Sequence, residues 1–338
     1  MRWNTVQIAL IGIFVAQGFS PAIAQTRRAT RPRAHKPIQK QKQPEPPPLP
    51  CGDYLSFQVL LDRQGFSPGE IDSRPGDNFT HALIALQQAR QVPLTMQPDC
   101  DTWHALGGDS AGDLRTTYTV VPADVEGPFE ERIPPNLVEQ AKLPALGYRS
   151  PLERLAERFH ASPALLQQLN RGVTLGAGHE IKVPAVTPFD PDAKPAAPAA
   201  DAGDVAIQVS REESALRVTR ADGSPLFFAP VTTGSQHDPL PPGNWTVVGV
   251  QWHPPFHYNP NLFWDAKPQD TKATIKPGPN NPVGVVWISL NLEHYGIHGT
   301  PEPGHVGHTE SHGCVRLTNW DAARVASLVK RGTPVVFK

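Results

Sequence analysis

A surplus of charge of either sign is missing from this chain: 31 lysines and arginines face 32 aspartates and glutamates, a formal net charge of -1. No global basic field therefore argues for nucleic acid as a partner. Long apolar runs are also missing. The one notable run, Val6 to Ala16, is shorter than the roughly 20 apolar residues that span a bilayer. With a basic start at Arg2 and a small-residue exit at Ala22-Ile23-Ala24, residues 1–24 read instead as a secretory signal peptide, which implies a soluble mature protein in the periplasm. No cysteine follows that exit closely, so lipid attachment there is not expected.

Cysteine is scarce too, at three residues, and export makes the three readable. Cys51 and Cys100 bracket one compact stretch while Cys314 stands alone, so the economical reading is one disulfide, Cys51 with Cys100, and one free thiol. Closing a loop of that size stabilises a small module by roughly 4 kcal/mol in the chain-entropy view.

Proline is what the chain has in excess. Its 39 prolines are roughly double the ordinary share of about 5%, and they concentrate in two stretches that mark linkers. Residues 25–50 combine Pro, Gln, Arg and Lys with a lone acid, Glu45, and have no apolar periodicity. Such a stretch cannot bury a core and reads as an extended tether; its Arg27, Arg28, Arg31 and Arg33 offer contacts to an anionic polymer or membrane surface. Residues 186–203, rich in Pro and Ala, form the second linker. At 338 residues the chain is long enough for several modules around these linkers.

Between Cys51 and Gly108 the pattern predicts two short amphipathic helices, Tyr54 to Gln64 closed by Gly65, and Phe79 to Gln91 with Asn78 as its N-cap. Phe79, Leu83 and Leu86 share a helical face. Leu60-Leu61, Gly65-Phe66-Ser67-Pro68-Gly69, Ile71-Asp72, Ala82-Leu83, Leu86-Gln87 and Thr102-Trp103 resemble the repeat of the small helical peptidoglycan-binding domain. That resemblance implies an all-α module at 51–108 directed to the cell wall.

From Tyr118 to Pro184 the order reads strand, helix, helix, strand. Ser150 and Glu153 form a capping box before Leu152, Leu155 and Phe159, and Ser162-Pro163 opens a second helix. Leu155 to Phe159, Leu169-Asn170 and Gly178 to Ile181 resemble a LysM glycan-binding module, an α+β unit at 118–185, with a long insertion at about Glu126 to Leu146 that the family lacks.

The last segment, 204–338, alternates apolar and polar residues at Val205 to Val209, Leu216 to Val218, Phe227 to Thr233, Trp245 to Val250, Val285 to Leu290 and Val335 to Phe337. One helix is expected, from about Trp320 to Lys330 with Asn319 as N-cap. A mainly β domain follows. It contains the stretch around which the chain is organised, Ile297-His298-Gly299-Thr300 and Ser311-His312-Gly313-Cys314-Val315-Arg316.

A cysteine becomes a useful nucleophile when a neighbouring base or positive environment supplies thiolate, and histidine is the commonest partner. His298 lies sixteen positions upstream of Cys314, far enough to arrive on a different strand and face it across a cleft. The Gly313 and Cys314 amides offer donors to the oxygen of a tetrahedral intermediate. With Val231 to Gly234, Pro241 to Trp245 and Gly278 to Pro282, this stretch resembles the L,D-transpeptidase (YkuD-type) catalytic domain. The resemblance implies Cys314 as nucleophile and His298 as base, oriented by the carbonyl of Gly299. It further implies Ser311 and His312 as shaping the pocket, and Arg316 as holding a substrate carboxylate or the local fold. The implied substrate is peptidoglycan, glycan strands and tetrapeptide stems, with another stem, an envelope lipoprotein or water as acceptor, and no cofactor. Two other readings compete with this one. A zinc site built from His294, His298, His305, His308, His312 and Cys314 fits no familiar structural spacing. A non-catalytic wall-binding protein has no use for the Cys314 and His298 pair.

Overall fold

The computed structural model describes residues 46–193 and 204–338; the expected signal peptide, residues 25–45 of the tether and residues 194–203 of the linker lie outside the described residues. The helical segment opens with α1 (Tyr54–Arg63), capped by the Asp53 carboxylate, which accepts from Ser56 N–H at 2.8 Å. The chain leaves α1 through Gly65 at φ +86°, a left-handed turn that glycine adopts without strain. Next comes α2 (Asp77–Arg90), whose cap is Gly76, two residues ahead of the expected Asn78. Asn78 is spent elsewhere: inside the first turn, its amide donates to the Val306 carbonyl at 2.8 Å. The helix α3 (Cys100–Ala105) starts at Cys100, which is disulfide-bonded to Cys51.

The strand β1 (Arg115–Thr119) follows, then the short helices α4 (Pro122–Val125) and α5 (Leu137–Gln140). The pair α6 (Pro151–Arg158) and α7 (Pro163–Leu169) leads to β2 (Glu180–Pro184), which runs antiparallel to β1. Ser150 caps α6 by accepting from Glu153 N–H at 3.2 Å. The reciprocal half of the expected capping box is displaced by one residue, because the Glu153 carboxylate accepts from the Arg149 N–H. Ser162 caps α7, with Pro163 in the first helical position, where its missing N–H costs nothing.

The C-terminal segment contributes β3 (Val205–Ser210), β4 (Ala215–Arg220), β5 (Pro225–Pro230), β6 (Gly243–Trp252), β7 (Phe256–Tyr258), β8 (Ala273–Ile275), β9 (Val286–Leu290), β10 (Gly296–His298), β11 (Val315–Arg316), α8 (Asn319–Leu328) and β12 (Pro334–Phe337). Eight strands form one sheet in the order β11-β10-β9-β6-β12-β3-β4-β5, with β7 and β8 as a separate hairpin. Alternate residues, among them Ile207, Val209, Leu216, Val218, Val335 and Phe337, bury in one apolar core that also takes in Trp320, Ala322 and Val325 of α8. The domain is mainly β, as its alternation predicts. Thr318, not Asn319, caps α8, accepting from Asp321 N–H at 3.1 Å. Asn319 is drawn inward, where its carbonyl accepts from Val285 N–H at 3.2 Å and its amide donates to the Glu157 carboxylate at 2.7 Å.

The three segments are packed together. Phe66 bridges to Phe228 on the edge strand β5: Ser67 N–H donates to Phe228 O at 2.9 Å and Phe228 N–H to Gly65 O at 2.8 Å. An outer edge that would otherwise present open backbone groups is thereby covered. Ala215 and Phe228 join the same apolar core as Leu55, Leu83, Leu155 and Ile181. Around that seam lie buried polar pairs: Ser67 Oγ donates to Asp321 at 2.8 Å, His160 Nδ1 is 2.9 Å from Asp62, and the His160 ring stacks on Trp320 at 5.0 Å.

Candidate active site

The sheet ends at β10 and β11, which run parallel with Ile297 opposite Val315 and His298 opposite Arg316. Cys314 immediately precedes β11, so thiol and imidazole arrive on neighbouring strands, and both line one cleft of about 700 Å³. The intervening loop is fastened to the segment that follows β5: Thr232 Oγ lies 3.3 Å from the His305 carbonyl and accepts from Gly307 N–H at 3.0 Å.

His298 is buried at 3% exposure, stacked against Trp287 at 5.2 Å with 17° between the rings. Its Nδ1 lies 2.6 Å from the Gly299 carbonyl, which can only accept, so Nδ1 carries the proton and Nε2 the lone pair. Burial, assisted by the nearby Arg316 charge, lowers its pKa to about 3 against the opposing pull of the Gly299 carbonyl. The ring is therefore a neutral base at neutral pH. Desolvation pushes the Cys314 thiol up, partly offset by the Gly296 backbone and the Arg316 charge. The thiol nevertheless remains partly open to the cleft, and it lies 3.6 Å from the His294 carbonyl.

The turn carrying Cys314 is built by its neighbours. Ser311, buried, donates from Oγ to the Cys314 carbonyl at 2.7 Å and shapes the site from beneath, without lining the cleft. Gly313 sits at φ +98°, and a Cβ there would come within 2.7 Å of the Tyr295 ring. His312 does line the cleft, with Nε2 held 2.9 Å from Asp265 and its ring 4.9 Å from Phe263. Arg316 lines it too; its backbone pairs with Thr232, and its buried Nε has no partner among the described residues. Desolvation lowers the Arg316 pKa, so its positive charge sits in the cleft at a cost that an anion would relieve.

Cys314, His298, Gly299, His312, Gly313 and Arg316 are thus gathered at one site, with Ser311 below it. Cys51 and Cys100 are joined in the helical segment, outside the cleft lining. Among the described residues no three His, Cys, Asp or Glu side chains are grouped to hold a metal ion. His305 pairs with Glu302 at 3.0 Å in an exposed loop. Sequence reasoning missed Trp287 behind His298, Asp265 on His312, and Tyr295 against Gly313. No local spacing signals these partners.

The profile of the YkuD L,D-transpeptidase catalytic domain matches residues 204–337. A Bacillus licheniformis protein named as an L,D-transpeptidase, YkuD, is 30% identical over 187 residues, 54% of this chain and 91% of the relative. The YkuD protein of Bacillus subtilis is 27% identical over 188 residues, 55% of this chain and 92% of its own length. A solved L,D-transpeptidase from Mycobacterium smegmatis is 18% identical, covering 49% of this chain and 64% of that one, with a TM-score of 0.33.

Proposed function

The chain belongs to the YkuD family of L,D-transpeptidases, acyltransferases whose substrate is peptidoglycan, and from that premise we propose that Cys314 is the nucleophile and His298 its general base. The observation that carries this reading is the Nδ1–H bond to Gly299 O, which leaves Nε2 as the proton acceptor in the cleft that Cys314 also lines. In the first step Cys314 Sγ attacks the carbonyl carbon at the L-centre of diaminopimelate in a tetrapeptide stem as its proton passes to His298 Nε2. The Gly313 and Cys314 amides are the donors in this reading to the oxygen that becomes negative. Collapse breaks the bond to D-alanine, whose nitrogen takes the proton from His298, and a thioester remains on Cys314.

An amine then attacks the thioester, gives its proton to His298 and releases the thiol. If the amine belongs to a second stem, the product is a cross-link; if it is a lipoprotein lysine, the envelope is tethered; if water attacks, the outcome is L,D-carboxypeptidase activity. Arg316, with its unpartnered Nε, is the group we assign to a substrate carboxylate.

The same reading makes residues 51–108 a peptidoglycan-binding-like domain and 118–185 a LysM-like module, both directed to the wall. The pattern of residues 1–24 supports export to the periplasm. The test is a Cys314→Ala protein given purified disaccharide-tetrapeptide. It should release no D-alanine and form no cross-link, yet still pellet with sacculi. Undiminished turnover, or turnover abolished by chelators in the native protein, would sink the thiol mechanism.

A further inference from the structure

The insertion between α4 and α6 takes no part in the core of the segment that carries it. The apolar residues holding β1, β2, α6 and α7 together lie outside residues 126–146. Its own apolar residues, among them Leu137, Val138 and Leu146, pack instead against Tyr258 and Ile275 of the β7–β8 hairpin. Its end is fastened to the loop after β8: Asn280 N–H donates to Leu146 O at 2.9 Å, and the Asn280 side-chain Nδ2 to Gly147 O at 2.8 Å. A surface insertion with no role in its own module ordinarily stays in solvent. Here Pro135, Asn136 and Leu137 line the same cleft as Cys314 and His298.

Resting on the acyl-transfer reading above, we propose that this insertion is a substrate-contacting wall that, with Lys267 on the same rim, selects the anionic peptide stem of peptidoglycan. Leu137 presents the apolar surface to the cleft. Asn136 is the positioning residue. Its Oδ1 accepts from Glu139 N–H at 3.0 Å, capping α5, while its Nδ2 donates to Asp270 at 3.0 Å, pinning the start of α5 to the cleft. Three acids share the lining: Asp270 also accepts from Tyr258 OH and Lys267 N–H, Asp265 holds His312, and Asp238 lies on the same cleft. Lys267 lines the cleft and forms no ion pair among the described residues, nor does Arg316. Two cations without a direct ion pair, of which Lys267 also acts on Asp270, and an apolar wall match a stem peptide with a free carboxylate.

Steady-state kinetics on purified disaccharide-tetrapeptide test this with Leu137→Ala and Lys267→Gln. Each should raise KM about fivefold to tenfold with kcat within about twofold, the signature of lost ground-state binding. Iodoacetamide alkylation of Cys314 should keep its native rate in both, since that small probe needs no wall. Leu137→Met, which keeps the volume, should restore KM. An unchanged KM in both variants, or a fall in kcat alone, would overturn the proposal. Failure of the mechanism itself would be seen separately, as turnover in Cys314→Ala.

Discussion

At the scale of single residues, the two groups that exchange a proton in the proposed acyl transfer sit in surroundings that hold each neutral. Burial and Arg316 lower His298 to about 3, and desolvation raises Cys314. A resting thiolate–imidazolium pair is thereby disfavoured, and proton transfer is left to the moment of attack. The iodoacetamide reactivity of Cys314 should accordingly rise through one titration above the ordinary thiol range, without the plateau at low pH that an ion pair gives. His298→Gln should lower kcat by about 10² to 10⁴ while leaving that titration midpoint nearly in place. The residue types in the two motifs were readable because a cysteine, a histidine and turn glycines occupy a compact pattern. The support behind them was not: Trp287 and Asp265 reach the site only through sheet pairing and a loop 47 positions from His312.

At the scale of elements, the loop between β10 and β11 decides where Cys314 stands, and a helix from the far end of the chain braces it. Asn78 in the first turn of α2 donates to Val306 O, and Gly307 lies directly against its side chain. Asn78→Ala should remove roughly 1 kcal/mol of local bracing and speed hydrogen exchange at the Gly307 amide, with a smaller loss of turnover. Gly313→Ala should be far more damaging, because it combines φ +98° with a Cβ 2.7 Å from Tyr295; the check is a lowered kcat in a protein whose circular dichroism is unchanged. The longer strands of the sheet were legible from alternation. The pair that carries the chemistry was not, since β10 has three residues and β11 two, too few to show a period. The caps expected at Asn78 and Asn319 failed for a shared reason: each side chain was claimed by a partner distant in sequence, Val306 for one and Glu157 for the other.

At the scale of the whole molecule, the seam joining the segments contains buried acids. Asp321 and Glu157 are each raised to about 7, chiefly by burial, with the Asp62 charge adding at Asp321. Unfolded, both ionise near their ordinary values of 3.8 and 4.5, so over the window from about pH 4 to 7 the folded chain binds more protons. Stability contributed there is present at low pH and is lost as pH rises through 7. His298 runs the other way: its folded value of about 3 lies below the ordinary 6.5, so stability falls as pH drops from 6.5 toward 3. Asp321→Asn, which keeps the acceptor for Ser67, should raise the Tm at pH 8 by a few degrees and give a gain that shrinks toward pH 4, as thermal melts at the two values will read. The linker composition suggested separable modules; the shared core around Phe228 depends on contacts between distant segments that no local pattern encodes. The proposed covalent role of Cys314 is read by intact-protein mass spectrometry during turnover of disaccharide-tetrapeptide. The account requires an acid-quenched adduct equal to the substrate acyl group without D-alanine, mapped to the peptide containing Cys314 and absent from Cys314→Ala. An adduct on another residue, or D-alanine release undiminished in Cys314→Ala, would contradict it.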